Sequence, residues 1–187
     1  MRKIIHWVHT SIDGYVDGPG GAFDWAALGP ELAAYSTALD DRVDTFLYGR
    51  GVWDLMSSWW PVAETVSDDP HDVAYAPIWR RTPKVVFSRT LDSADWNTRI
   101  LRGDLAAEVA ALKAEPGTDL LLTDGSALPA ALTRLGLIDE YHIAVHPVVL
   151  GGGRELFPAP EARIAMELVA STPCDGRTVV LEYRRAG

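Results

Sequence analysis

The 187-residue chain has the length and composition of one globular domain, which we predict to span residues 1–187. Hydrophobic residues make up 48% of it and charged residues 23%, as is usual for a folded protein in water. The net charge of −9 argues against nucleic acid or an anionic membrane as a partner, because both attract basic surfaces. No apolar run approaches the roughly 20 residues of a membrane span, and a lone cysteine, Cys174, fits a reducing compartment. We therefore expect a cytoplasmic protein that binds a small molecule.

Short apolar segments alternate with segments of helical periodicity over the first two thirds of the chain. Strands are predicted at 2–9, 43–48, 84–87, 119–123, 141–148, 165–171 and 177–184, and helices at 30–40, 50–57, 72–80, 104–114 and 126–135. This alternation is typical of an α/β fold whose largely parallel sheet is covered on both faces. The last two strands follow each other without a helix, which predicts an antiparallel hairpin.

The first predicted strand runs directly into a loop, residues 11–18, that contains two Asp-Gly pairs. Asp-Gly favours sharp turns, and open α/β sheets bind ligands where their strands end. Asp13 is the first candidate for orienting a substrate or a water molecule during catalysis, and Asp24 is the second. Loop aspartates of this kind also serve simply as turn formers.

The second predicted strand ends in Gly49-Arg50-Gly51-Val52, which opens the next helix. The glycines allow a ligand to approach the backbone, and Arg50 adds a positive charge beside the positive end of the helix dipole. This segment is a candidate binding site for a phosphate, although a simple turn explains it equally well.

The third predicted strand ends in Ser88-Arg89-Thr90. Two hydroxyls and a guanidinium form a compact donor set that suits a phosphomonoester. The alternative is an arginine that is merely solvated at the end of a strand.

The fourth predicted strand ends in the turn Thr123-Asp124-Gly125-Ser126, and Leu128 lies in the first turn of the following helix. A glycine turn at a helix N-terminus leaves backbone N–H groups free to bind an anion, although such turns often only join a strand to a helix. Three parallel strands that end in phosphate contacts would meet at one edge of the sheet. We therefore predict one extended ligand with several phosphates, such as a dinucleotide.

Four tryptophans, Trp25, Trp53, Trp59 and Trp60, lie in the first third of the chain. Most are expected in the core. Trp59 and Trp60 precede Pro61 in a predicted loop, where they could form a flat wall for a planar heterocycle. We count Trp25, Trp59 and Trp60 as candidate substrate contacts.

His142 and His146 share one face of the predicted strand 141–148, with Glu140 nearby. Because no third ligand has suitable spacing, we predict no metal site and interpret both histidines as core or interface residues. The alternating apolar residues of this strand, together with the tryptophan-rich surface, predict a homodimer.

These residues, in this order, resemble the dihydrofolate-reductase-like superfamily, and more closely the reductase domain of bacterial bifunctional riboflavin-biosynthesis deaminase-reductases. The resemblance covers nearly the whole chain through Ser11-Ile-Asp-Gly14, Tyr48-Gly-Arg50, Val86-Phe-Ser-Arg-Thr90, Gly125-Ser126, Gly136-Leu-Ile-Asp-Glu140, His146-Pro-Val-Val-Leu-Gly-Gly-Gly153 and Leu156-Phe157. It implies a three-layer fold with a mostly parallel central sheet of about eight strands and an antiparallel C-terminal hairpin. It also implies NADPH as the hydride donor and, often, a homodimer.

Carried over onto this sequence, the resemblance assigns Gly49–Val52 and Asp124–Ser126 to the pyrophosphate and its flanks. Ser88 and Arg89 would meet the 2′-phosphate of the adenosine.

Two departures from the family pattern bear on the substrate. The riboflavin branch usually carries an acid, two glycines and a serine at this turn, whereas this chain has Thr123 at the acid position and Asp124 at the first glycine. A carboxylate is unfavourable beside a pyrophosphate unless it points away or binds a sugar hydroxyl. The deaminase zinc signature is also absent from the sequence, so the chain resembles a stand-alone member whose substrate need not be the riboflavin precursor.

Our leading interpretation is an NADPH-dependent reductase of a small planar heterocyclic, carbonyl or imine compound, similar to 5-amino-6-(5-phosphoribosylamino)uracil reductase. One alternative is a non-catalytic nucleotide-binding or sensing protein, which Asp124 favours. Another is dihydrofolate reductase proper, for which Glu31 is the only candidate for the substrate-binding carboxylate on the first helix.

Overall fold

The computed structural model describes residues 1–123, 125, 127–158 and 163–186. The strands are β1 (Ile4–Ser11), β2 (Val43–Gly49), β3 (Lys84–Phe87), β4 (Thr98–Leu101), β5 (Asp119–Leu122), β6 (Glu140–His146), β7 (Met166–Cys174) and β8 (Thr178–Arg185). The helices are α1 (Pro30–Asp40), α2 (Arg50–Trp59), α3 (Ala63–Val66), α4 (Pro70–Arg81), α5 (Leu105–Ala114) and α6 (Ala127–Arg134), with a short 3₁₀ turn at Pro19–Gly21.

The eight strands form a single sheet in the order β4-β3-β2-β5-β1-β6-β8-β7. The pairs from β4 to β6 are parallel, whereas β8 runs antiparallel to β6 and to β7. Asp175 and Gly176 close the β7–β8 hairpin with φ values of 54° and 62°, a conformation in which Asp-Gly is favoured. The predicted α/β fold with a mostly parallel sheet and a C-terminal hairpin is confirmed.

Helices cover both faces of the sheet because the side chains of each strand alternate between two cores. Ile5 and Trp7 of β1 face the core beneath α1, α2 and α4. Ile4 and Val8 face the core beneath α5 and α6. The three layers of the predicted fold follow from this alternation.

The structure differs from the sequence prediction at two elements. Strand β4 was not predicted, because it is a four-residue edge strand whose side chains are only partly buried and carry little periodicity. The short helix α3 lies between the predicted helices 50–57 and 72–80, where no element was predicted.

The placement of β6 removes one of the arguments for a homodimer. Strand β6 lies between β1 and β8, and its apolar side chains, including Tyr141, Ile143 and Ala144, are buried within the protomer. The described part of β7 instead exposes Leu168 and Val169 by 58% and 57%. A self-association surface is therefore better sought at this edge strand.

Within the described residues, no helix has both the length and the apolar character needed to cross a membrane.

Candidate active site

Strands β3, β2 and β5 lie side by side and parallel, so their carboxyl ends meet at one edge of the sheet. This is the arrangement that the three candidate phosphate-binding segments were predicted to form. Helix α2 begins at this edge. Its N-cap, Gly49, is extended and provides no side-chain hydrogen bond to the first turn. The N-cap residue of α2 therefore places no side chain over the first turn, at the edge where an anionic ligand is expected.

The first turn of α2 contains three of the candidate binding residues. Val52 is buried, whereas Gly51 is exposed, and a Cβ atom added to Gly51 would meet no atom within 4 Å. Arg50 forms an exposed ion pair with Asp54, with Nε 2.8 Å from Oδ2. Much of the charge that Arg50 was expected to add at this end of α2 is therefore offset within the helix.

The segment after β3 is fixed by its own hydroxyl. The Oγ of Ser88 accepts hydrogen bonds from the backbone N–H groups of Thr90 and Leu91 at 3.3 and 3.1 Å. Arg102 donates to the carbonyl oxygen of Leu91 and closes the loop from the other side. Arg89 and Thr90 are exposed at this turn, while Ser88 is buried beneath it.

At the end of β5 the structure describes Thr123 and Gly125. A Cβ atom at Gly125 would lie 2.9 Å from the side chain of Val16, so the loop after β1 approaches this turn too closely for another residue to fit without a shift. Asp124 and Ser126 lie outside the described residues. Leu128 is buried in the core beneath α6.

A cavity of about 650 Å³ opens beside these strand ends, between the sheet and the helices α1, α2 and α4. Of the predicted cofactor residues, Val52, Thr123 and Gly125 line it, and Trp60 is the predicted substrate residue that does so. The volume is of the size that holds a drug-like molecule, and apolar side chains form much of the wall.

The three tryptophans predicted to contact a substrate are in different environments. Trp60 lies against Tyr75, with ring centroids 4.6 Å apart, and forms part of the cavity wall. Trp59 is 41% exposed at the end of α2. Trp25 packs edge-on against His146, with the ring centroids 5.6 Å apart.

Asp13 and Asp24 are not among the described residues that line this cavity. The carboxylate of Asp13 accepts hydrogen bonds from the backbone N–H groups of Leu150 and Gly151 at 3.1 and 2.8 Å. Hydrogen bonding, first from Ser11 and then from these backbone groups, lowers the pKa of Asp13. Asp24 is exposed. Asp13 thus ties the loop after β1 to the loop that contains Leu150 and Gly151.

Sequence reasoning missed His9, which lines the cavity, and its contact with His146. His9 on β1 lines the cavity, and its Nδ1 lies 2.8 Å from the Nε2 of His146 on β6. The Nδ1 of His146 lies 3.4 Å from the Oγ1 of Thr178. Burial, followed by the nearby His146 and His71, lowers the pKa of His9 to about 3, so the ring is neutral at physiological pH.

The predicted core position of the two β6 histidines is borne out. His146 is buried against His9, and His142 is buried with its Nδ1 2.6 Å from the hydroxyl of Tyr35.

Asp40, the last residue of α1, was also missed. It lines the cavity, and both of its carboxylate oxygens are buried with no hydrogen-bond partner. Burial, and to a lesser extent the neighbouring Asp41, raises the pKa of Asp40 to about 7. Helical periodicity gives the signal that could have found it, because Asp40 follows Leu32 and Ser36 at four-residue spacing on the inward face of α1.

 
Glu31 was considered above as the acid of a dihydrofolate reductase. It is exposed at the start of α1, where its carboxylate accepts a hydrogen bond from the backbone N–H of Asp175 in the β7–β8 turn. The backbone N–H of Glu31 in turn donates to the carboxylate of Asp175 at 2.9 Å.

The cavity wall contains a second arrangement that the sequence did not reveal, an ion pair between Asp17 and Arg154. Asp17 is buried and accepts hydrogen bonds from the backbone N–H of Arg154 at 2.8 Å and from its Nε at 2.6 Å. Both residues line the cavity. Arg154 is the only lysine or arginine among the described lining residues, and its charge is already paired.

The family to which these motifs belong is decided by comparison with known proteins. The model of the family described as RibD C-terminal domain matches residues 2–180. The chain belongs to the RibD C-terminal domain family. Membership in this family supports the assignment of the protein as a reductase-type oxidoreductase.

Two relatives match the chain over nearly the whole length of both proteins. The uncharacterized protein YyaP of Bacillus subtilis (strain 168) is 31% identical over 190 residues, covering 100% of this chain and 97% of the relative. A protein of Shewanella sp. PV-4, described as a candidate riboflavin biosynthesis protein, has a structure that matches with a TM-score of 0.79 at 25% identity, and each chain is covered completely.

Two more distant structures share the fold. The deaminase and 5-amino-6-(5-phosphoribosylamino)uracil reductase of Thermotoga maritima matches with a TM-score of 0.70 at 12% identity, over 99% of this chain and 57% of that one. Dihydrofolate reductase of Enterococcus faecalis, solved with NADP(H), matches with a TM-score of 0.66 at 13% identity, over 99% of this chain and 97% of that one. The fold is therefore dihydrofolate-reductase-like, as the sequence resemblance implied.

Proposed function

We propose that the protein is an NADPH-dependent reductase of a small planar heterocyclic, carbonyl or imine compound, similar to 5-amino-6-(5-phosphoribosylamino)uracil reductase. The observation that carries this proposal is the shared edge of β3, β2 and β5, where the N-terminus of α2, with a glycine as its N-cap, lies beside a cavity of about 650 Å³. An extended anionic cofactor can lie along such an edge while its reactive end enters the cavity.

The residues at this edge fit a phosphorylated dinucleotide. The first turn of α2 would hold the pyrophosphate through backbone N–H groups, because neither Gly49 nor Gly51 places a side chain in the way. Arg89, exposed on a turn that Ser88 and Arg102 hold in place, would meet the 2′-phosphate. The bound nicotinamide would supply a hydride, and the protein would supply position and surroundings.

The reduction of a carbonyl or imine also needs a proton from solvent, and His9 is better placed than Asp13 to donate a hydrogen bond to the substrate atom that receives this proton. His9 lines the cavity and is neutral, so it carries one ring proton. If Nδ1 of His9 accepts from Nε2 of His146, the proton of His9 resides on its own Nε2. The hydrogen bond to His146 would then orient the ring of His9.

A substitution at Gly51 tests the cofactor site without disturbing the core. Gly51→Asp places a carboxylate in the first turn of α2, where a negative charge stabilises the helix and repels a phosphate. We expect a melting temperature equal to or above that of the parent protein, with NADPH affinity reduced at least tenfold in a fluorescence titration. Gly51→Ala, the matched control, should bind NADPH nearly as the parent does. Equal affinity in both variants would remove the first turn of α2 from the cofactor site.

Turnover is tested by adding carbonyl, imine and aminopyrimidine compounds to the NADPH-loaded protein and following NADPH absorbance. Oxidation that depends on one of these compounds supports the reductase. NADPH binding without oxidation across such a panel would favour the alternative of a nucleotide-binding protein without turnover.

A further inference from the structure

The buried carboxylate of Asp40 is unusual among the acidic groups that line the cavity. Asp17 binds Arg154, Asp69 accepts a hydrogen bond from the backbone N–H of His71, and Asp72 accepts one from the hydroxyl of Ser67. Asp40 alone among these four has two buried oxygens without any hydrogen-bond partner. Buried polar groups are normally paired, so an exception calls for a reason.

The position of Asp40 adds to the cost of leaving its carboxylate unpaired. It is the last residue of α1, where the negative end of the helix dipole disfavours an anion, and Asp41 follows directly. The cavity offers no compensation, since the single arginine in its described lining is bound to Asp17. Among the described residues, neither a hydrogen bond nor an arginine or lysine of the cavity lining offsets the cost of burying this carboxylate.

A ligand with nitrogen donors would supply the missing partners. Ser36 lies one helical turn before Asp40 and also lines the cavity, so α1 presents a hydroxyl and a carboxylate on one face. Tyr75 and Trp60 provide aromatic walls against which a planar ring can pack. The terminal torsion of an aspartate is broad, which allows the Asp40 oxygens to turn toward a ligand in the cavity.

We propose that Asp40 is the recognition site for an amino, amidine or similar donor-rich nitrogen group on the substrate, whose ring would occupy the aromatic part of the cavity. This inference rests on the proposed reductase function, because it identifies the cavity as the substrate site. It narrows the substrate class to planar compounds that carry hydrogen-bond donors at the end away from the cofactor. A carboxylate acceptor would disfavour compounds that present only carbonyl or carboxylate oxygens at that end.

A pair of planar probes of nearly equal shape tests this recognition directly. Benzamidine carries a cationic group with N–H donors on two nitrogens, whereas in benzamide one of those nitrogens is replaced by a carbonyl oxygen. We expect the parent protein at pH 8 to bind benzamidine at least tenfold more tightly than benzamide in isothermal titration calorimetry. Asp40→Asn should reduce this preference to less than threefold. A preference that survives in Asp40→Asn, or that is missing from the parent, would overturn the inference.

The matched control is Asp41→Asn, which removes the adjacent, exposed carboxylate outside the described cavity lining. This variant should keep the preference for benzamidine, because the contact to Asp40 remains. Loss of the preference to the same extent as in Asp40→Asn would assign it to the general negative field and contradict a specific contact. Melting temperatures of all three proteins establish that the variants are folded.

NADPH titration of the same samples separates this inference from the proposed function. If benzamidine binding depends on Asp40 but NADPH does not bind, the subsite stands and the NADPH-dependent reductase fails. If NADPH binds and the parent shows no preference for benzamidine, the reductase stands and the role of Asp40 fails.

Discussion

Replacing Asp40 by asparagine should stabilise the protein at pH 8, although the substitution removes a residue that we place in the substrate site. The folded-state pKa of this carboxyl is about 7, against an ordinary value of 3.8. Because the folded-state value is the higher one, the folded protein holds the proton more tightly than the unfolded chain does. The contribution to stability is therefore fully favourable below about pH 4 and is lost as the pH rises through 7.

The size of the effect follows from the pKa difference. A shift of about three units corresponds to roughly 4 kcal/mol at 1.36 kcal/mol per unit, which is an upper limit because the side chain is not completely buried. An uncharged amide in the same position avoids the cost of burying a charge but remains a buried polar group. We therefore expect Asp40→Asn to gain about 1–3 kcal/mol at pH 8, or roughly 2–12 °C in melting temperature for a chain of this length.

The assay compares thermal unfolding of the parent and Asp40→Asn at pH 4, 6 and 8 without ligand. Other titratable groups near this carboxyl are present in both proteins, so their contributions largely cancel in the difference; they are Asp41, Asp69, His71, Asp72 and Tyr75. The gain should be large at pH 8, smaller at pH 6 and near zero at pH 4. A melting temperature of Asp40→Asn below that of the parent at pH 8 would refute the reasoning and give Asp40 a structural role.

Three further predictions concern the cofactor, the histidine pair and self-association. Arg89→Ala should weaken NADPH binding about ten- to a hundredfold, or 1.5–3 kcal/mol for a lost charge-assisted contact, and leave NADH nearly unchanged; equal losses for both cofactors would place Arg89 outside 2′-phosphate recognition. The pKa of His9 is lowered to about 3 in the folded protein, so below pH 6.5 the unfolded chain protonates this imidazole while the folded protein does not. The parent protein therefore loses stability as the pH falls from 8 to 5, and His9→Gln should lose less over this range in thermal melts. A steeper loss in His9→Gln would contradict a buried neutral ring. We propose a homodimer that uses the exposed edge strand β7, so light scattering should give the mass of two chains, and Leu168→Lys should give the mass of one; a single-chain mass for the parent at micromolar concentration would rule out the dimer.

Much of the fold could be predicted because its elements carry strong local signals. The strands beneath the helices are apolar on both faces, and the hairpin is closed by Asp175-Gly176, a pair that tolerates positive φ at both positions. Periodicity places α1 at 30–40, and the structure has it at Pro30–Asp40. Strand β4 was not predicted because it forms by pairing with β3, which is separated from it in sequence, and because its own side chains are half exposed.

The candidate site was predictable in part, for a topological reason. The sequence predicts that the segments after β2, β3 and β5 lie at one edge of the sheet, because parallel strands point the same way whatever lies between them. Which side chains then face a cavity depends on packing between elements. Asp13 illustrates the difference: its position after β1 suggested catalysis, but the loop containing Leu150 and Gly151, more than 130 residues away, occupies its carboxylate.

The two cavity residues that sequence reasoning missed, His9 and Asp40, share a physical feature. Each lies in a position where the pattern calls for an apolar side chain: His9 follows Ile5 and Trp7 on one face of β1, and Asp40 follows Leu32 and Ser36 along α1. Burial moves both pKa values toward the uncharged form, downward for the imidazole and upward for the carboxyl. Neither group would stabilise a packed core, whereas a cavity that orients a substrate by hydrogen bonds needs polar groups shielded from water. Polar residues that interrupt an otherwise apolar face toward the end of an element are therefore the positions to examine first in related sequences of this fold.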